Sequence, residues 1–172
     1  MNNFKNNFIK VLFGILLFTS VLSCDEGGDP SREEIGFTNT GQYAGQWYVT
    51  LTDTEGATLV EHQVHSTYNT AANDNTMWID DHEHGYYIKS KYSINTATGD
   101  FSATDALNIN DGGDNTSTVT ITEGKITKLG ALSKAGHTVD KIQFRVHYSY
   151  DAPGYDIIYE GHKRSGFLED EY

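Results

Sequence analysis

From residue 44 onward, apolar and polar side chains alternate in short runs that break at turn residues. In the run 44–52, Trp47, Val49 and Leu51 fall on one side. After the turn Asp53-Thr54-Glu55-Gly56, the next run puts Val60, His62, Val64, Ser66 and Tyr68 on one face. Residues 76–80 form a short run, and Asp81-His82-Glu83-His84-Gly85 reads as a turn. Tyr86, Ile88, Ser90, Tyr92 and Ile94 then share a face, with Lys89 and Lys91 opposite. The turn 95–100 leads to a short strand at 101–104, and residues 110–115 are the strongest turn cluster of the chain. The runs 116–122 and 125–129 read as a tight hairpin about Glu123-Gly124. Ile142, Phe144, Val146, Tyr148 and Tyr150 alternate with Lys141, Gln143, Arg145, His147 and Ser149, before the turn 151–154 and a last run at 155–162.

A period of two, with β-branched and aromatic enrichment and turns every ~8–12 residues, predicts an all-β, antiparallel up-and-down meander of about eight strands. No sustained helical period occurs after residue 24, although a short helix fits at 71–75 or 132–136. Such a meander either closes into a barrel or stacks as a β-sandwich. Turns short enough for nearest-neighbour hairpins favour the barrel, which also leaves no strand edge exposed.

Residues 1–24 follow a different pattern. Lys5 and Lys10 give a positive N-terminal region, residues 8–18 are an almost unbroken apolar run, and small or slim residues lead to Cys24. This is the anatomy of a secretory signal, too short for a spanning helix. Val21-Leu22-Ser23-Cys24 resembles a bacterial lipobox, and the single Cys of the chain stands where the lipid is attached. The expected organisation is a signal peptide at 1–23, lipidated Cys24 with an acidic tether at 24–42, and a barrel domain at 43–172. Several acyl chains on one Cys suffice for stable anchoring. The acidic residues behind Cys24 are similar to the surface-export signal of Bacteroidota lipoproteins. The expected location is therefore the cell envelope, anchored by lipid in the outer membrane and facing outward, with a periplasmic location as the alternative.

With 24 Asp and Glu against 12 Lys and Arg, the chain carries a formal charge of −12. That argues against a nucleic-acid partner, which requires a basic face. One Cys also excludes an internal disulfide framework.

Candidate chemistry is sparse. If the barrel is hollow, alternation points Trp47, Val49, Val60, His62, Val64, Ser66, Tyr68, Tyr86, Ile88, Ser90, Tyr92, Phe144, Val146 and Tyr148 inward, as an apolar lining with a few orienting polar groups. A slip of one residue reverses every face. His82 and His84 are the weak metal candidates, but hairpin turns collect Asp, Glu and His because they are solvated, so neither a metal nor a cofactor is expected. Asp111-Gly112-Gly113-Asp114-Asn115 lacks the alternating oxygens of a calcium loop. No Gly-x-Ser-x-Gly elbow or His-Glu-x-x-His helix is present. A dispersed pairing, for example His62 with Ser66 or Ser90, has no spacing rule behind it, and the reading leans away from an enzyme.

The stretches 43–50 (Tyr-Ala-Gly-Gln-Trp-Tyr-Val-Thr), 67–71 (Thr-Tyr-Asn-Thr-Ala), 77–81 (Met-Trp-Ile-Asp-Asp), 119–125 (Val-Thr-Ile-Thr-Glu-Gly-Lys) and 161–167 (Gly-His-Lys-Arg-Ser-Gly-Phe) resemble a Bacteroidota lipoprotein family of lipid-binding putative hydrolases. The acidic and aromatic ending 166–172 is similar as well. The resemblance implies a lipocalin-like (calycin) barrel and a lipid-like ligand, without a catalytic set to transfer. The expected function is binding of a small apolar or amphipathic molecule in the barrel, with the membrane met through the lipid anchor alone. A non-enzymatic accessory subunit of a surface complex, with no identified protein partner, is the alternative. A hydrolase acting on a lipid-like substrate is the third reading.

Overall fold

The computed structural model describes residues 38–110 and 116–172. The alternating runs form eight strands: β1 (Gly45–Asp53), β2 (Thr58–Asn69), β3 (Thr76–Asp80), β4 (Lys89–Ile94), β5 (Asp100–Leu107), β6 (Thr118–Leu132), β7 (Thr138–Tyr148) and β8 (Ile157–Lys163). Each pairs antiparallel with the next, and β8 returns to β1, so the sheet closes as a barrel and not as a sandwich. Helical geometry among the described residues is limited to two 3-10 turns, Gly41–Tyr43 and Leu168–Asp170, and neither 71–75 nor 132–136 is helical. The compact unit that holds the barrel begins at Thr38, and Thr40 is already buried.

Three local readings are corrected by the pairing. The Glu123-Gly124 hairpin does not form: β6 runs unbroken through it, bent by a register shift between Thr122 and Lys125. Glu123 takes a left-handed φ of 54°, and a side chain on Gly124 would stand 2.3 Å from the Phe101 carbonyl oxygen. The bend needs a residue with no Cβ where β6 passes over Phe101. Second, β4 starts at Lys89, so Tyr86 and Ile88 belong to the incoming loop, although Ile88 is still fully buried and Tyr86 packs against the core.

The third correction is the largest. Leu51 lies opposite Val60, but Val49 lies opposite Gln63 and Trp47 opposite His65. Two residues of β2 therefore face one of β1, a bulge marked by the left-handed φ of 51° at His62. Val60 packs against the core as expected, but beyond the bulge His65 and Thr67 turn inward and are buried. His62, Val64, Ser66 and Tyr68 turn to the outer face, against the expected register.

The inner face is a packed core. Trp47, Val49, Ile88, Ser90, Tyr92, Phe144, Val146 and Tyr148 are all buried. The rings of Tyr92, Phe101, Phe144 and Tyr159 succeed one another across the interior with centroids 4.6, 5.6 and 4.5 Å apart. Side chains thus fill the centre, as an eight-stranded barrel permits, and the residues expected to line a hollow are those that occupy it. The polar atoms of the core rings are paired: Trp47 Nε1 donates to Thr67 Oγ1 (2.9 Å), whose hydroxyl donates to the Tyr43 carbonyl (2.7 Å). The Tyr148 and Tyr159 hydroxyls share a hydrogen bond of 2.5 Å.

Closure depends on a close approach between β8 and β1. A Cβ on Gly161 would lie 2.1 Å from the Tyr48 carbonyl oxygen and 2.9 Å from Val49 Cα, both backbone atoms that cannot yield without opening the seam. Gly161→Ala is expected to cost at least about 1–3 kcal/mol, the usual scale of overpacking. At roughly 2–4 °C per kcal/mol, thermal unfolding followed by circular dichroism should show a drop of several degrees; an unchanged midpoint would mean that the seam is looser than described.

Candidate functional site

The β2 bulge builds two polar sites, one on each side of the sheet. Inside, His65 is fully buried, and its Nδ1 lies 3.2 Å from the Gln63 carbonyl oxygen. A carbonyl only accepts, so Nδ1 carries the hydrogen and Nε2 presents a lone pair. Burial pulls the His65 pKa below the ordinary imidazole value, which keeps this neutral tautomer. Asp81, also fully buried, accepts at Oδ1 from the Glu83 backbone N–H (3.0 Å) and from Asn110 Nδ2 (3.1 Å). Its Oδ2 and His65 Nε2 have no hydrogen-bond partner. Both lie against Gly85, where a Cβ would stand 2.7 Å from Asp81 Oδ2 and 3.0 Å from His65 Nε2. The Tyr159 ring meets His65 edge-on at 5.7 Å.

Outside, the same bulge puts Ser66 on the outer face between two neighbours, Gln46 of β1 and Asp80 of β3. The chain leaves β3 through His82 and Glu83, both left-handed, with φ of 53° and 65°. Asp80 Oδ1 accepts the His82 backbone N–H at 2.9 Å, and Asp81 Oδ1 accepts that of Glu83. These two carboxylate caps hold a turn that L residues otherwise avoid. The turn folds the His82 ring back over β2, so that Nε2 lies 2.7 Å from Ser66 Oγ and Nδ1 lies 3.8 Å from Asp80 Oδ1. Asp80 Oδ2 accepts from Lys89 Nζ (2.7 Å) and the Tyr68 hydroxyl (3.0 Å). Burial pushes the Asp80 pKa up, but the hydrogen bonds from Lys89, the His82 N–H and Tyr68 outweigh it and hold the carboxyl below its usual range. Asp80 is an ionised carboxylate in ordinary buffers.

His82 also stands in the wall of an open groove of about 750 Å³, bordered by Gln46 and Tyr48 of β1, His62 and Val64 of β2, and Arg164 and Tyr172. Segment 164–172 forms its far side. The Tyr172 ring stacks on His62 (3.9 Å, 6°) and meets Tyr48 edge-on at 4.9 Å. Arg164 holds both carboxylate oxygens of Glu171, through Nε at 2.9 Å and through Nη2, and its Nη1 donates to Gln46 Oε1 at 2.9 Å. The Tyr48 hydroxyl donates to Glu171 Oε2 at 2.5 Å. Asp170 pins the segment to the β6–β7 turn, accepting from the Ala135 N–H (2.7 Å), His137 Nδ1 (2.8 Å) and Ser165 Oγ (2.5 Å). Burial raises the Asp170 pKa, but hydrogen bonds from Ser133, Ser165, His137 and the Ala135 N–H carry it far below the usual carboxylate value.

His82 and His84 both border this groove, yet His82 is engaged with Ser66 and Asp80. Among the described residues, no group of three or more His, Cys, Asp or Glu is arranged to hold a metal ion. Cys24 and residues 111–115 lie outside the described residues. The structure brings Ser66 to His82 and not to His62, and Ser90 donates to the Leu107 carbonyl (3.0 Å). Asp80-Asp81-His82 is visible in the sequence, but nothing local links it to Ser66. That link arises from the pairing of β2 with β3.

A family model described as lipid-binding putative hydrolase matches residues 32–168. No curated protein matches the chain.

The buried His65 gives a directional pH dependence. With its folded pKa depressed, its neutral form adds nothing above about pH 6.5, where the unfolded imidazole is neutral too. Below that value the unfolded chain takes up a proton that the fold refuses, so stability falls with pH. His137 works the opposite way, because its hydrogen bond to Asp170 raises its pKa; its contribution is present below about pH 6.5 and is lost as pH rises through the folded value. His65→Leu should therefore reduce the drop in melting temperature between about pH 7.5 and about pH 5.5. An identical drop in the variant would remove His65 as its source.

Proposed function

The chain belongs to the family of lipid-binding putative hydrolases, and from that premise we propose that it holds a small lipid-like amphiphile in the outer groove between β1, β2 and segment 164–172. The groove carries this reading. Its volume of about 750 Å³ lies in the usual range for small-molecule sites. Tyr48, Val64 and the stacked His62–Tyr172 pair offer apolar surface, and Gln46, His82 and Arg164 offer polar groups. The barrel interior, by contrast, is occupied by its own aromatic rings, and entry there requires displacing the core.

The same proposal places the protein in the cell envelope. Residues 1–23 are read as a signal peptide and Cys24 as the lipidated anchor of the outer membrane, with the domain facing outward. The lipobox-like Val21-Leu22-Ser23-Cys24 and the acidic run behind it support this reading. The anchor holds the protein at a lipid surface, where an amphiphilic ligand is locally abundant.

Titration with a fluorescent long-chain fatty acid or monoacylglycerol tests the groove. Val64→Trp, an outer-face change that fills it, should weaken binding about tenfold or more, equivalent to roughly 1.4 kcal/mol. Undiminished binding by a folded Val64→Trp variant would move the ligand elsewhere. For the anchor, Cys24→Ala should shift the protein from the membrane pellet to the soluble fraction, and a variant that still pellets would overturn it.

A further inference from the structure

We propose that Ser66, His82 and Asp80 form a nucleophilic triad that hydrolyses a carboxylic ester lying in the outer groove. Three independent features meet here. A hydroxyl stands 2.7 Å from an imidazole nitrogen, within general-base reach. The other ring nitrogen faces an ionised carboxylate oxygen at 3.8 Å, a separation of the loose kind that free enzymes show before substrate tightens the site. The imidazole itself borders a groove large enough for a small acyl ester.

The carboxylate lies nearest Nδ1, and its charge favours the tautomer with Nδ1–H, which leaves the Nε2 lone pair toward the Ser66 hydroxyl. Asp80 is held in place by Lys89, Tyr68 and the His82 backbone N–H, so the base is oriented by a fixed group. The two successive left-handed residues at 82 and 83 are the backbone cost of placing the ring there. Gln46, the cross-strand neighbour of Ser66, has Oε1 committed to Arg164. Its amide nitrogen, left without that role, is the group on β1 assigned to donate to a developing oxyanion.

The chemistry balances with water as the co-reactant. Ser66 Oγ attacks the acyl carbon while its proton passes to His82 Nε2, and the carbonyl electron pair moves onto oxygen. Collapse of the tetrahedral intermediate breaks the ester C–O bond, and His82 returns the proton to the leaving alcohol. Water then attacks the acyl-Ser66 carbon, His82 takes its proton, and the carboxylic acid leaves with Ser66 restored. Asp80 is the positioning residue. The groove reading supplies only the seat of the acyl chain, so the triad rests on it for chain-length preference and not for the bond cleavage.

The full chain in detergent would be treated with a fluorophosphonate and mapped by mass spectrometry, and its turnover of p-nitrophenyl acetate and decanoate measured. The expected result is one phosphonate adduct on Ser66, absent in His82→Gln, with ester turnover falling about 100-fold or more in Ser66→Ala and His82→Gln. Asp80→Asn should lower kcat with KM little changed, a split that general loosening would not give. Val64→Trp should raise KM for the decanoate more than for the acetate. Missing Ser66 modification, or ester turnover in folded Ser66→Ala equal to that of the unaltered chain, overturns the triad. Lipid binding stands or falls separately on the Val64→Trp titration.

Discussion

Two residues of β2 stand opposite one residue of β1 at Thr50, and the orientation of every later β2 side chain follows from that bulge. A left-handed backbone at a residue with a Cβ costs about 1–2 kcal/mol, so His62 needs support from elsewhere. It receives it from Tyr172, whose ring stacks flat on the imidazole at 3.9 Å, and from Thr50, whose Oγ1 accepts the His62 N–H at 3.5 Å. Segment 164–172 is therefore both one wall of the groove and a brace for the bulge. Beyond it, His65 and Thr67 turn into the core while Ser66 faces outward beside Asp80.

The two polar sites that result differ in what surrounds them. His65 and Asp81 are sealed beneath Gly85 with an orphaned acceptor each, a costly arrangement whose consequence is a pH-dependent stability. His82, hydrogen-bonded to Ser66 and 3.8 Å from Asp80, stands instead in the wall of an open groove. Chemistry on an external molecule requires the second situation. A filled interior and a working outer face are compatible in one small barrel: the rings of Tyr92, Phe101, Phe144 and Tyr159 supply the stability, and the outer face holds its groups against a rigid sheet. On the proposed reading, binding and hydrolysis are successive uses of one groove.

Much of the fold was legible in the sequence because a strand advertises its faces locally. The inward sets of β1 (Trp47, Val49, Leu51) and β7 (Ile142, Phe144, Val146, Tyr148) follow from period two alone, and so does the all-β meander. Alternation failed where the backbone departs from regular geometry. Glu123-Gly124 has the composition of a hairpin turn, yet it bends a continuous strand, since composition cannot distinguish a turn from a bulge. Inward position was also a poor guide to function: the inner aromatics are core, and a filled and a hollow barrel carry the same alternation.

The sequence by itself determined the strand order, the turns between most strands, the apolar stripe of each regular strand and the family to which the chain belongs. The first three are local properties, written strand by strand, whereas the family match spreads over residues 32–168. Tertiary structure alone decided the register of β2 against β1 and β3, the closure of β8 onto β1 at Gly161, and the meeting of Ser66 with His82 and Asp80. The physical reason is common to all three. Each depends on where one backbone stands against another, and a bulge, a missing Cβ or a left-handed turn shifts that position without disturbing the alternation on either side.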